Sequence, residues 1–151
     1  MKNRVVATNK RAAFRYEIIE KIEAGLELKG VEVKSLRLNK LDLKDSFARI
    51  DGNEVFLHNL HISHYSKASY DNVDPQRVRK LLLHRNQINK LIGKMNQKGY
   101  TLIALSLYFN NKGKAKVELA LAKGRRLYDQ RQKIKKKETE RQLRKVKSFR
   151  K

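Results

Sequence analysis

From Phe14 to Leu28 the chain alternates, with Phe14, Tyr16, Ile18, Ile22, Ala24, Leu26 and Leu28 on one side and Arg15, Glu17, Lys21, Glu23 and Glu27 on the other. A period of two sustained over fifteen residues marks a long half-buried strand, because successive side chains of an extended backbone point to opposite faces. Gly25 within it predicts a bend or bulge. Long bent strands are the material of small barrels, so this stretch biases the whole chain toward a closed β architecture.

The flanking segments follow from local chemistry. Residues 1–8 carry no periodic pattern and read as a mobile N-terminal arm. Val31 to Asn39 loses the alternation and sets Val33 and Leu36 three apart, which suits a short helix ended by Asn39. Ser46 to Ile50 and Glu54 to Leu60 read as strands joined by Asp51-Gly52-Asn53, which supplies the positive φ of a tight hairpin. Asp74-Pro75 predicts a helix start, Asp capping free amides and Pro providing φ at the first position. Ile88, Leu91, Ile92 and Met95 keep helical spacing, and Gly99 closes that helix. Thr101 to Phe109 and Lys116 to Ala122 form a second hairpin, with Ile103, Leu105, Leu107 and Phe109 facing the core from one strand and Val117, Leu119 and Leu121 from the other.

The expected fold is therefore α+β and mainly β: a small closed antiparallel barrel of the oligonucleotide-binding type, with about three flanking helices. Three regions divide the chain: the arm 1–8, a barrel domain 9–122 and a basic tail 123–151.

The tail holds fourteen Lys or Arg against three acids, a net +11 and half of the chain's +22. Such a segment repels itself and has little apolar surface to offset chain entropy, so it reads as disordered when free. Its apolar residues fall mostly at three-, six- and seven-residue spacings between good helix formers, so neutralising the charge on a polyanion would bring out a thin amphipathic helix. A pI near 10.4 points to nucleic acid. Membrane binding needs a wider apolar face than one Phe provides. No run approaches the ~20 apolar residues of a spanning helix and the amino terminus lacks a signal-peptide core, which reads as cytoplasmic. The absence of Cys fits a reducing compartment and removes thiol chemistry.

Candidate chemistry is sparse. His58, His61 and His64 invite a metal reading, but three-residue spacing on a strand alternates faces and no Cys or well-placed carboxylate completes a shell. Asp42 and Asp45 sit beside Lys40 and Lys44 as solvated pairs rather than as a magnesium site. With no phosphate-cradling glycine loop or nucleophile elbow, neither an enzyme nor a cofactor site is expected. Binding has more material. Tyr16 between Arg15 and Glu17 could stack on a base, although the alternation turns it toward the core. Glu23, by spacing an outward strand residue, would on an RNA-facing surface accept hydrogen bonds from base amino groups or hydroxyls.

Several segments together resemble the SsrA-binding protein family (small protein B), the partner of transfer-messenger RNA in bacterial ribosome rescue. They are Asn9-Lys10-Arg11-Ala12, Tyr16, Glu23-Ala24-Gly25, Gly30 to Arg37, Asp45-Ser46-Phe47, Asp74-Pro75 with Arg77 to Leu83, Leu105 to Tyr108, and Lys116-Val117 through Ala122-Lys123-Gly124. The resemblance implies an RNA-binding barrel without catalytic activity. It also implies that Glu23, Leu82 and Lys116 hold the tRNA-like domain of that RNA, with Asn9, Lys10, Arg11 and Tyr16 in the same neighbourhood.

For the tail, the resemblance implies that Lys123, Gly124, Arg125, Arg126, Tyr128, Asp129, Arg131, Lys135, Lys136, Arg141 and Arg144 contact the ribosome. The tail would become helical in the empty mRNA channel beside the small-subunit decoding site, and the aminoacylated RNA would arrive with elongation factor Tu. Asp129-Gln130-Arg131 departs from the usual Asp-Lys-Arg, and Tyr128 stands where His is frequent. A ribosomal or ribosome-assembly protein binding rRNA through the same barrel is the competing reading.

Overall fold

The computed structural model describes residues 3–66, 73–96, 99–124 and 134–144. In chain order the elements are β1 (Arg4–Thr8), α1 (Ala12–Arg15), β2 (Tyr16–Leu26), α2 (Gly30–Arg37), β3 (Leu41–Asp42) and β4 (Phe47–Asp51), followed by β5 (Glu54–His58), β6 (His61–Ile62), β7 (Arg79–Leu82), α3 (Arg85–Met95), β8 (Tyr100–Phe109) and β9 (Ala115–Gly124). A fourth helix, α4, covers 134–144. The fold is mainly β: seven strands form one antiparallel sheet in the order β1-β8-β4-β5-β7-β2-β9, and β9 pairs in addition with β8. From β8 through β4, β5, β7, β2 and β9, the succession of pairings thus returns to β8.

The alternating stretch becomes β2, but its irregularity is not at Gly25. The register against β9 slips between Ile18 and Glu20, so Tyr16 and Ile18, expected on one face with Ile22, Ala24 and Leu26, pack on the opposite one. Gly25 has a different use, because it pairs with Lys116 of β9 and with Leu82 of β7. A Cβ on Gly25 would stand 3.1 Å from the Cβ of Leu82, so the missing side chain is what lets β7 lay Leu82 over β2.

A second slip, between Ala104 and Ser106 of β8, reverses part of the expected core. Leu102 and Ala104 face the main core before it, and Leu107 and Phe109 face it afterwards. One extra residue inverts a period of two. Ile103 and Leu105, expected in that core, are instead buried on the opposite face with Ala12, Ala120 and Ala122, against which Tyr16 and Ile18 pack. Val117, Leu119 and Leu121 lie in the main core, as the alternation predicts.

Two further expectations are corrected. Residues 4–8 are not an unstructured arm; they form β1, paired with β8 from Arg4↔Phe109 to Thr8↔Ser106. β4 pairs with β8 only at Leu102 and Ile103, so β1 covers an edge of β8 that would otherwise be raw. Asp74-Pro75 opens a turn rather than a helix, with the Gln76 amide donating to the Asp74 carboxylate at 2.9 Å, and β7 follows. The local start signal loses to the alternation after it, in which Arg79 and Leu81 point inward and Lys80 and Leu82 outward.

Arg79 is wholly buried, and its charge is met from several sides. Its Nε donates to Glu32 Oε2 at 2.6 Å, one Nη to the Leu60 carbonyl at 2.6 Å and the other to the Pro75 carbonyl at 3.0 Å. Glu32, itself buried, also accepts from Arg77 at 2.5 Å and from the Lys29 amide at 3.0 Å. Burial alone pushes the Glu32 carboxyl up, but the bonds from Arg77, the Lys29 amide and Arg79 outweigh it and hold its pKa below the ordinary value. The cluster ties α2 to β7 and fixes where β7 runs past β2.

Two turn signals hold. α2 ends before Asn39, which takes a left-handed φ of 58°, and Gly52 supplies φ 61° in the two-residue loop between Asp51 and Glu54. Gly99 takes φ 90° as expected of a glycine stop, but α3 already ends at Met95 with Asn96 as its C-cap.

Candidate nucleic-acid interface

β2, β9 and β8 lie side by side, and the side chains that alternate away from the core form one outward strip. Register places Glu23 beside Glu118, Gly25 beside Lys116, and Lys116 beside Tyr108. Tyr108, almost buried, reaches across β9 and its hydroxyl donates to Glu23 Oε2. Burial raises the Tyr108 phenol pKa, and the hydrogen bond and charge of Glu23 and the charge of Glu118 raise it further. The phenol therefore stays a donor, and it orients one Glu23 oxygen while the other is left to accept from a ligand. Glu118 pairs with Lys21 at 3.8 Å. Among the described residues Lys116 makes no ion pair, so its ammonium is available to a phosphate.

Leu82, 51% exposed on the outward face of β7, is seated over Gly25 and so comes beside Lys116. Glu23, Leu82 and Lys116, from three different strands, line one groove of about 460 Å³. Its other wall is α3, through His84, Gln87, Lys90 and Lys94, with Lys94 ion-paired to Glu20. Sequence reasoning overlooked this wall. Helical spacing identified the buried positions of α3, and the same spacing run half a turn on would have put Lys90 and Lys94 on one exposed face.

Asn9, Lys10, Arg11 and Tyr16 gather at the other end of β2. Tyr16 and Glu23 are seven residues apart on one strand, roughly 23 Å at 3.3 Å per residue. The Asn9 amide N–H donates to the Leu105 carbonyl at 2.7 Å and its side chain to the Ala104 carbonyl at 3.4 Å, which pins the β8 slip. Lys10, Arg11 and Arg15 line a hollow of about 350 Å³ with Lys44. Tyr16 pairs with Gly124, so Lys123 and Gly124, both exposed, close the same end. One strand thus carries two candidate contact regions, with the start of the tail beside the second.

Arg125, Arg126, Tyr128, Asp129 and Arg131 lie outside the described residues. Lys135, Lys136, Arg141 and Arg144 are on α4, whose residues are all exposed. Lys137 of that helix sits 4.7 Å from the ring centroid of Phe14.

Residues 6–148 match the family described as SmpB protein. The chain belongs to the SmpB family. It is 58% identical over 142 residues to the SsrA-binding protein of Caldicellulosiruptor bescii, covering 94% of this chain and 89% of that relative. The SsrA-binding proteins of Syntrophobacter fumaroxidans and Rickettsia bellii are 56% and 53% identical, over 94% and 91% of this chain and 88% and 91% of theirs. A solved SmpB chain described as "tmRNA-SmpB: a journey to the center of the bacterial ribosome" superposes with a TM-score of 0.67 at 54% identity, covering 80% of this chain and 85% of the other. The match to SmpB spans both regions of β2 and α4. Among the described residues no helix is long and apolar enough to cross a membrane.

Proposed function

We propose that this SmpB-family chain binds the tRNA-like domain of transfer-messenger RNA through the groove of Glu23, Leu82 and Lys116 and delivers it to stalled ribosomes in trans-translation. The observation that carries this reading is the convergence of those three side chains from β2, β7 and β9 in one groove, in a chain 58% identical to an SsrA-binding protein. Lys116, with Lys90 across the groove, meets phosphates and supplies affinity without sequence preference. Glu23 repels phosphate but accepts from a hydroxyl or base amino group, so a correctly placed RNA gains a charge-assisted bond that other RNA lacks. Asn9, Lys10, Arg11 and Tyr16 extend the contact along β2. The return of the strand pairing to β8 supports a closed barrel of the oligonucleotide-binding type as the platform.

The tail serves a separate step. With a net charge of +11, residues 123–151 enter the vacated mRNA channel beside the small-subunit decoding site, and helix extends along them as phosphates replace counterions. Intact mRNA excludes the tail by volume and charge, so occupancy itself reports a missing codon. The aminoacylated RNA arrives with elongation factor Tu in the cytoplasm, and this chain performs no chemical step.

Sequencing the RNA that copurifies with the tagged protein from cells tests the assignment. Transfer-messenger RNA should dominate, whereas recovery of rRNA alone from actively translating ribosomes would assign the chain to ribosome structure or assembly instead.

A further inference from the structure

The outward face of the β4–β5 hairpin holds aromatic rings that the groove does not use. Register sets Phe47 opposite His58, Arg49 opposite Phe56, and Phe56 opposite Lys80 of β7, so all five residues share one face. The residues between them, Ala48, Val55, Leu57 and Leu81, are buried inward. Phe47 and His58 are stacked, with ring centroids 5.2 Å apart and planes within 8° of parallel. The Arg49 guanidinium lies 5.9 Å from the Phe47 centroid. Phe47, Phe56 and His58 are half-buried, and among the described residues the exposed Arg49 makes no ion pair, whereas Lys80 is paired with Glu54 at 3.1 Å.

We infer that this face is a second RNA-binding surface, which takes unpaired bases by stacking on the Phe47–His58 pair while Arg49 meets the adjoining phosphate. Parallel rings form the beginning of a stack that a nucleobase continues, since every base has a π face. The charge argues for an anionic strand over an apolar protein partner, because Arg49, which makes no ion pair among the described residues, borders the rings on a chain of net charge +22. β7 divides this face from the groove, turning Lys80 toward the hairpin and Leu82 toward Glu23, so the two surfaces can act at once on different segments of RNA. This accounts for His58, whose place in a histidine series suggested a metal ligand and whose ring instead lies on another ring.

The test measures binding of the full-length protein to two probes, a fluorescent hexamer of adenosines and the isolated tRNA-like domain, at about 0.3 M salt to suppress contacts made by the tail alone. Phe47→Leu, Arg49→Gln and His58→Ala are compared with Glu23→Ala, with thermal melts to confirm folding. Arg49 is exposed, so Arg49→Gln tests the surface without disturbing the core. The hairpin variants should bind the hexamer about 5- to 100-fold more weakly, with Arg49→Gln and His58→Ala keeping affinity for the tRNA-like domain, and Glu23→Ala should do the reverse. The hexamer should also shift the ring proton resonances of Phe47 and His58. Wild-type hexamer binding by all three hairpin variants, or hexamer binding lost equally in Glu23→Ala, would overturn the assignment. Unshifted ring resonances at saturating hexamer would leave the stack as a brace for the hairpin alone.

Discussion

The hydroxyl of Tyr108 donates to the carboxylate of Glu23 across the width of β9, joining residues 85 apart in the chain. The bond makes a surface acid part of a fixed constellation. A free glutamate beside lysines would swing and pair with them, whereas this one is held by a neutral donor and Lys116 is left unpaired.

Tyr108→Phe removes that donor and should weaken binding of the tRNA-like domain by about 0.5–1.5 kcal/mol, the net worth of one such bond. Absorbance titration provides an independent reading. Ordinary tyrosines ionise near pH 10, and the raised Tyr108 value places its step last, so the variant should lack the highest-pH phenolate transition. Because the folded value lies above the unfolded one, the stabilisation is full below about pH 10 and fades as pH rises through the folded value. Alkaline unfolding should accordingly be less pH-dependent in the variant.

Glu23→Ala and Lys116→Ala should each weaken that RNA by about 1–3 kcal/mol. Salt separates their roles. Lys116→Ala should reduce the salt slope of binding by about one, and Glu23→Ala should leave it unchanged. Filter binding across a salt series checks both.

Gly25→Val places a branched side chain where a Cβ alone would stand 3.1 Å from Leu82. β7 must shift, so RNA affinity should fall by at least as much as in Leu82→Ala, measured in the same assay. Unchanged affinity would mean that the seating of Leu82 is irrelevant to the groove.

Arg79→Met or Glu32→Gln leaves a buried charge without its partner and should cost about 3–5 kcal/mol in denaturant unfolding. The lowered Glu32 pKa means that its contribution is present above the unfolded carboxylate value near 4.3 and is lost as pH falls through the lower folded value. The acid limb of the stability curve should be shallower in Glu32→Gln.

Deleting residues 123–151 should leave affinity for the tRNA-like domain nearly intact and abolish tagging on stalled ribosomes. A peptide of the same residues should gain helical circular dichroism on adding polyanion. Loss of RNA affinity on deletion would place the tail in the groove's own site.

Periodicity alone located most of the sheet. The extended character of β2, the Gly52 loop, the spacing in α3 and the Val117–Leu119–Leu121 face could be read because each depends on contacts within a few residues. The motif resemblance named Glu23, Leu82 and Lys116, but spacing gave no sign that they meet, since they stand on strands far apart in the chain.

Tertiary structure decided the rest. A one-residue slip in β8 moved Ile103 and Leu105 to the opposite face, and a period of two cannot reveal where an insertion will be absorbed until the partner strand is in place. β1 forms because β8 leaves an edge to cover, and Arg79 is inside because Glu32 waits there. The α3 wall and the Tyr108–Glu23 bond likewise come from packing between distant segments. Sequence determined local conformation and charge through short-range sterics and hydration; register, edge pairing and buried-charge partners are long-range choices that only the assembled sheet makes.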